Sequence, residues 1–148
     1  MELMTQLQLE NLETILAKIT HWAARCHDIM AVALVGSYAR GTARADSDID
    51  LMFLTYKPSC FRQNTSWMEE INLGAKIDKW KDANYGEVWS RHVYLEDETE
   101  IEFSFGLPLW ASVNPVDSGT FNVVNDGCRI LYDSKGLLKK LLAQIGSN

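Results

Sequence analysis

The stretch Leu34-Val35-Gly36-Ser37-Tyr38-Ala39-Arg40-Gly41-Thr42-Ala43-Arg44-Ala45-Asp46-Ser47-Asp48-Ile49-Asp50-Leu51 decides how this chain reads. It closes an apolar, β-branched run from Ile29 to Val35, which suits a buried strand better than a helix of that length. Gly36 lets the backbone turn tightly and approach a ligand closely, and the next N–H groups, with the Ser37 hydroxyl, can meet phosphate oxygens. A polar interruption from Thr42 to Ser47 follows. Period-2 alternation then begins at Asp48-Ile49-Asp50-Leu51-Met52-Phe53-Leu54, a second strand with an acidic start. Asp48 and Asp50 project from one face about 7 Å apart, near enough to share one or two hard cations through oxygen ligands.

Upstream, Leu9, Leu12, Ile15, Leu16, Ile19, Trp22 and Ala23 recur at one-faced helical spacing, which predicts an amphipathic helix over residues 6–25. Downstream, Lys57-Pro58-Ser59 breaks the second strand, and Thr65 or Ser66 is placed to cap a helix ending near Gly74. Ala75 to Asp82 fits neither period cleanly; a helical continuation and a strand compete there, and a short strand is the preferred reading. Val88 to Leu95 and Thr99 to Phe105 form an expected hairpin about Glu96-Asp97-Glu98. In its second arm Ile101, Phe103 and Phe105 face one side, while Glu100, Glu102 and Ser104 face the other. A short helix within 119–127, a strand over 129–132 and a terminal helix over 136–146, lined by Leu137, Leu138, Leu141, Leu142 and Ile145, complete the chain. The expected fold is α+β (α/β), a mixed β-sheet of about five strands packed by helices. It forms one domain over residues 1–148, with its core at about 29–132.

A chain of 148 residues is long enough to bury a core without staples. Fourteen basic against 20 acidic residues give a net charge of -6, which disfavours bulk adhesion to nucleic acid or anionic lipid. Cys26, Cys60 and Cys128 lie far apart with no CxxC pair, so a reducing cytoplasm fits best. The uncharged run from Phe103 to Val116 is interrupted by Gly106, Pro108 and Pro115, so no membrane span is expected. Gly36 to Thr42 comes close to a Walker A loop, but Thr42 stands where the phosphate-gripping lysine would be. His21, His27 and His92 fall at no ligand spacing and carry no assigned chemistry. The five tryptophans read as core packing.

Gly36-Ser37, ten residues, then Asp48-Ile49-Asp50 between apolar neighbours resembles the nucleotidyltransferase superfamily with a DNA polymerase beta-like catalytic core. The stretch from Leu34 to Leu51 is especially similar to the small stand-alone members called minimal nucleotidyltransferases. The segment Gly127-Cys128-Arg129-Ile130-Leu131-Tyr132 looks like the close of that domain, so the resemblance extends over about residues 30–140. It implies an enzyme that transfers a nucleoside monophosphate, AMP from ATP, to a hydroxyl acceptor with release of pyrophosphate. Asp48, Asp50 and Glu102 would be catalytic and bind two Mg²⁺ ions. Gly36 and Ser37 would fix the nucleoside triphosphate, and Arg40 or Arg44 would add cationic contact. Glu102, flanked by Ile101 and Phe103, is preferred as third carboxylate over Glu100, which shares its strand face. By that resemblance, no counterpart is expected here of the helical domain that builds the acceptor pocket in larger relatives. The resemblance therefore admits a homodimer, or a rival reading as an antitoxin-like module paired with a helical HEPN-type partner.

Overall fold

The structure is a computed structural model and describes residues 4–146. The first helix, α1, spans Gln6–Arg25 and buries Leu12, Ile15, Leu16, Ile19, Trp22 and Ala23. Thr5 starts it with a reciprocal capping box: the Gln8 N–H donates to Thr5 Oγ1 at 3.1 Å, and the Thr5 N–H donates to Gln8 Oε1 at 2.8 Å. Strand β1 is Ile29–Val35, a five-residue helix α2 is Gly36–Arg40, and β2 is Ile49–Thr55. Two short helices follow, α3 at Pro58–Gln63 and α4 at Trp67–Glu70. Then come β3 (Ile77–Tyr85), β4 (Val88–Leu95), β5 (Glu100–Gly106), α5 (Ser118–Asn125), β6 (Cys128–Asp133) and α6 (Leu137–Gly146).

The strands form one mixed sheet in the order β3-β4-β5-β2-β1-β6, in which β2 and β5 are parallel and the other neighbours antiparallel. The chain leaves β2, runs through α3, α4 and the β3–β4 hairpin, and returns as β5 beside β2. The sheet has six strands rather than about five. The uncertain segment is a full nine-residue edge strand, and its exposed Asp78, Lys79 and Lys81 hide the alternation that betrays a half-buried strand.

Two cores flank this sheet. On one face α1, α3 and α4 cover Val32, Leu34, Leu51, Phe53, Phe103 and Phe105. The Phe105 ring stacks on Phe53, Phe61 and Trp89 at 5.0, 5.2 and 4.8 Å between centroids. Arg91 is buried on the same face, where Asp82 accepts from its Nε and Nη2 at 2.7 and 3.0 Å and Trp80 stacks 3.9 Å from the guanidinium. On the other face α5 and α6 cover the small or slender residues Ala31, Ala33, Met52 and Leu54. Those helices cover the β1–β2–β6 side, and the polar ends of β2, β4 and β5 lie outside their core. Among the described residues no helix is long and apolar enough to cross a membrane.

The second strand ends at Thr55, just before Lys57-Pro58-Ser59 as expected, and Pro58 also opens α3, a helix the sequence reading did not place, at its first turn, where a missing N–H costs nothing. The helix expected to reach Gly74 is a single turn ending at Glu70, because Asn72 and Gly74 take left-handed backbone, φ 59° and 89°.

Candidate active site

Parallel pairing of β2 with β5 sets Asp50 directly opposite Glu102, and β1–β2 pairing sets Asp50 opposite Val35, one residue before the Gly36 turn. Both carboxylates share strand parity with Met52 and Ser104, so they emerge on the α5/α6 face beyond the cover of those helices. Burial, then the charges of Glu102 and Asp48 and a hydrogen bond with Glu102, push the Asp50 carboxyl up to about 7, against an opposing pull from Arg40. Gly36 has φ 75°, and a Cβ there would collide with Asp50 Oδ2. Glycine is thus required by both the turn and the carboxylate beside it.

Asp48 precedes β2 and is half-buried. Its loop is pinned on both sides: the Arg44 N–H donates to Ser47 Oγ at 2.8 Å, and the Tyr38 hydroxyl donates to the Ser47 carbonyl at 3.3 Å. Asp48 hydrogen-bonds with Glu100, and this bond, with burial and the Asp48 charge behind it, raises the Glu100 carboxyl above its ordinary range. His92 on β4 stands opposite Glu102 on β5, and its Nε2 lies 3.6 Å from Asp48 Oδ2. Asp48, His92 and Glu100 each present a ligand atom within 4.8 Å of the others. The two glutamates in competition thus have separate partners, Glu102 beside Asp50 and Glu100 beside Asp48.

A cleft of about 870 Å³ opens from the Asp50–Glu102 pair. Gly36, Ser90, Ser104, Asp117 and Asp126 give it polar walls, while Tyr85, Val88, Leu107, Leu109, Trp110 and Val123 give it an apolar side. Arg40 reaches its rim through an ion pair with Asp126 and also donates from Nε to Thr42 Oγ1 at 3.0 Å. The approach is close because Gly127, at φ 137°, has no Cβ; one there would lie 2.8 Å from the Arg40 backbone nitrogen. Ser37 is in the first turn of α2, where its carbonyl accepts from the Gly41 and Thr42 N–H groups, and it does not line the cleft. Arg44 is exposed and makes no ion pair among the described residues. Gly36, Asp50 and Glu102 therefore share the cleft, Asp48 flanks it, Arg40 touches its rim and Arg44 stays apart.

Sequence spacing missed two residues. His92 enters only through the register of β4 on β5, which sets it opposite Glu102; period-2 alternation along β4, which puts it on the face of Ser90 and Tyr94, is the local signal for it. Asp126 enters by pairing with Arg40 across 86 positions, which no local pattern announces.

The donor set suits a hard divalent cation. Carboxylate oxygens from Asp48, Asp50 and Glu102 converge with no lysine or arginine lining the cleft, and burial, followed by the charges of Glu102 and Asp48, raises the Asp50 carboxyl to about 7. No curated protein matches the sequence. Solved structures of similar fold include an aminoglycoside 6-adenyltransferase from Bacillus subtilis, with TM-score 0.50, 14% identity, and coverage of 74% of this chain and 37% of that one. A cytoplasmic RNA terminal U-transferase is similar at TM-score 0.54 and 16% identity, over 82% of this chain and 35% of that one. A chain from a toxin–antitoxin structure with AMP-PNP is similar at TM-score 0.50 and 12% identity, over 89% of this chain and 84% of that one. The chain thus spans little more than a third of the length of the two transferases. Residues 17–104 match the family described as "Nucleotidyltransferase domain". That segment contains the Gly36 turn, both aspartates and Glu102, and the chain belongs to the nucleotidyltransferase domain family.

Proposed function

We propose that the chain is a Mg²⁺-dependent nucleotidyltransferase that moves a nucleoside monophosphate, AMP from ATP, onto a hydroxyl of a small-molecule or protein acceptor. The observation that carries this reading is the side-by-side placement of Asp50 and Glu102, with Asp48 two residues before Asp50 and its charge acting on it, at the cleft behind Gly36. Asp48 and Asp50, with Glu102, would hold two Mg²⁺ ions. Bound there, the metal supplies charge neutralisation for the triphosphate and lowers the pKa of the acceptor hydroxyl. In the transfer, the acceptor oxygen bonds to the α-phosphorus while the bond from that phosphorus to the β-bridging oxygen breaks and pyrophosphate leaves. The Glu102 carboxylate takes the hydroxyl proton. The Gly36-Ser37 turn holds the triphosphate, and Arg40, with Arg44 if its side chain swings inward, offsets its charge. The apolar wall of Tyr85, Leu107, Leu109 and Trp110 suits a compact acceptor or the sugar and base of the nucleotide. A long polyanion would meet Glu87, Asp117 and Asp126 without a basic track.

The test is incubation with α-labelled ATP, Mg²⁺ and candidate acceptors. Label should move to an acceptor with the parent protein and vanish with Asp48→Ala or Asp50→Ala; transfer that survives both changes defeats the reading.

A second reading has its own support. The toxin–antitoxin chain is matched over most of its length, and Leu107, Leu109, Phe121 and Val123 leave an exposed apolar rim beside the cleft. In that reading the rim seats a helical HEPN-type partner, and binding to it survives Asp48→Ala.

A further inference from the structure

Beside the all-oxygen pair of Asp50 and Glu102 stands a ligand set of different chemistry, contributed by the loop before β2, by β4 and by β5. Asp48, Glu100 and His92 bring two carboxylates and an imidazole to one point, with ligand atoms within 4.8 Å of one another. His92 Nε2 is shielded from solvent and has no hydrogen-bond partner; Asp48 Oδ2, at 3.6 Å, is beyond hydrogen-bond reach. That separation matches two ligands of one ion better than a direct bond, since donors at about 2.1 Å from a tetrahedral metal lie about 3.4 Å apart. The ring is held in place by Tyr94, stacked 4.6 Å away at 8° between planes.

We propose that Asp48, His92 and Glu100 form a binding site for a divalent transition metal of the zinc class, adjacent to the Mg²⁺ site and distinct from it in preference. An imidazole nitrogen favours Zn²⁺, Co²⁺ or Ni²⁺, whereas Mg²⁺ selects oxygen donors and near-octahedral geometry. Three protein ligands leave at least one coordination position open. Asp48 belongs to both sites, so zinc occupancy draws on a carboxylate that the Mg²⁺ reading also uses. The proposal does not otherwise rest on that reading.

The test is calorimetric titration of Zn²⁺ and visible spectroscopy of Co²⁺, both without nucleotide, in a Cys60→Ser background that removes the exposed thiol. One equivalent of Zn²⁺ is expected. His92→Ala and Glu100→Gln should each weaken it by at least about tenfold, since even residues that only orient metal ligands contribute that much. Glu102→Gln should leave zinc affinity within about threefold, and His92→Ala should keep the Mg²⁺-ATP thermal shift. His92→Asn serves if the alanine variant does not fold. Zinc binding undiminished by loss of His92, or abolished equally by Glu102→Gln, overturns the site. Loss of the Mg²⁺-ATP shift in Asp50→Asn speaks only to the transferase reading, so the two can fail separately.

Discussion

The two faces of β2 and β5 are built from alternate residues of the same seven-residue strands, yet they do opposite things. Leu51, Phe53, Phe103 and Phe105 point into a closed aromatic core under α1, α3 and α4. Asp50, Met52, Glu102 and Ser104 point the other way, and the first and third of these are two carboxylates close enough to repel each other. The larger core lies on one face, while the other, cored where α5 and α6 cover it, holds beyond that cover a charge arrangement that opposes folding. Parallel pairing makes this possible, because it brings the acidic starts of both strands to the same end of the sheet.

If that division holds, substitutions on the two faces separate activity from stability. Asp50→Asn should lower nucleotidyl transfer by roughly 10²–10³-fold or more, the scale seen when one group aimed at developing charge is removed. Its melting temperature should not fall. Phe105→Ala, across the same strand pair, should do the reverse. Losing a ring stacked on three neighbours costs about 3–5 kcal/mol and lowers the melting temperature by ~10 °C, while the folded fraction still turns over at low temperature. Parallel melting curves and transfer assays check both. An Asp50→Asn protein as unstable as Phe105→Ala would erase the contrast.

The parts of the site visible in the sequence are those that repeat at short range. Period-2 alternation was enough to put Asp50 with Met52 on one face and Glu102 with Ser104 on the corresponding face of another strand. It could not say that Glu102 meets Asp50 while Glu100 meets Asp48, because that depends on a parallel register set across the whole β3–β4 excursion. His92 escaped for the same reason: its neighbours come from three stretches of chain, and spacing rules for metal ligands look within one. β3 was obscured by the charges that protect an exposed edge, and α3 by a proline that ends the preceding strand region and also starts a helix.

Gly36 sits against the Asp50 carboxyl, and a smaller effect is expected there. Gly36→Ala forces a side chain into left-handed backbone, at a cost of about 1–2 kcal/mol, and drives its Cβ against the Asp50 carboxyl. Transfer activity should fall further than stability does, since Asp50 must move to make room. Equal, slight losses in both would mean that the carboxylate has freedom the packing denies it.

The mildest effect tests the burial and crowding of the Asp50 carboxyl. The Asp50 carboxyl is raised in the folded protein from an ordinary value of 3.8 to about 7, so between these values the folded state binds more protons than the unfolded one. The contribution of this carboxyl to metal-free stability therefore falls as pH rises from about 4 to 7 and levels off above, the reverse of a salt-bridged aspartate. Solvent at the cleft mouth screens part of the repulsion, which leaves a change on the order of 1 kcal/mol. Asp50→Asn should flatten that slope and match or exceed the parent's melting temperature at pH 8. Mg²⁺ competes with the same proton, so the rise in melting temperature on adding it should grow from pH 5 to pH 8 in the parent and shrink in Asp50→Asn. A parent protein whose stability shows the same pH slope as Asp50→Asn through that window would mean that Asp50 is neither buried nor crowded by Glu102 enough to hold its proton, and the functional face would lose the tension that sets it apart from the aromatic one.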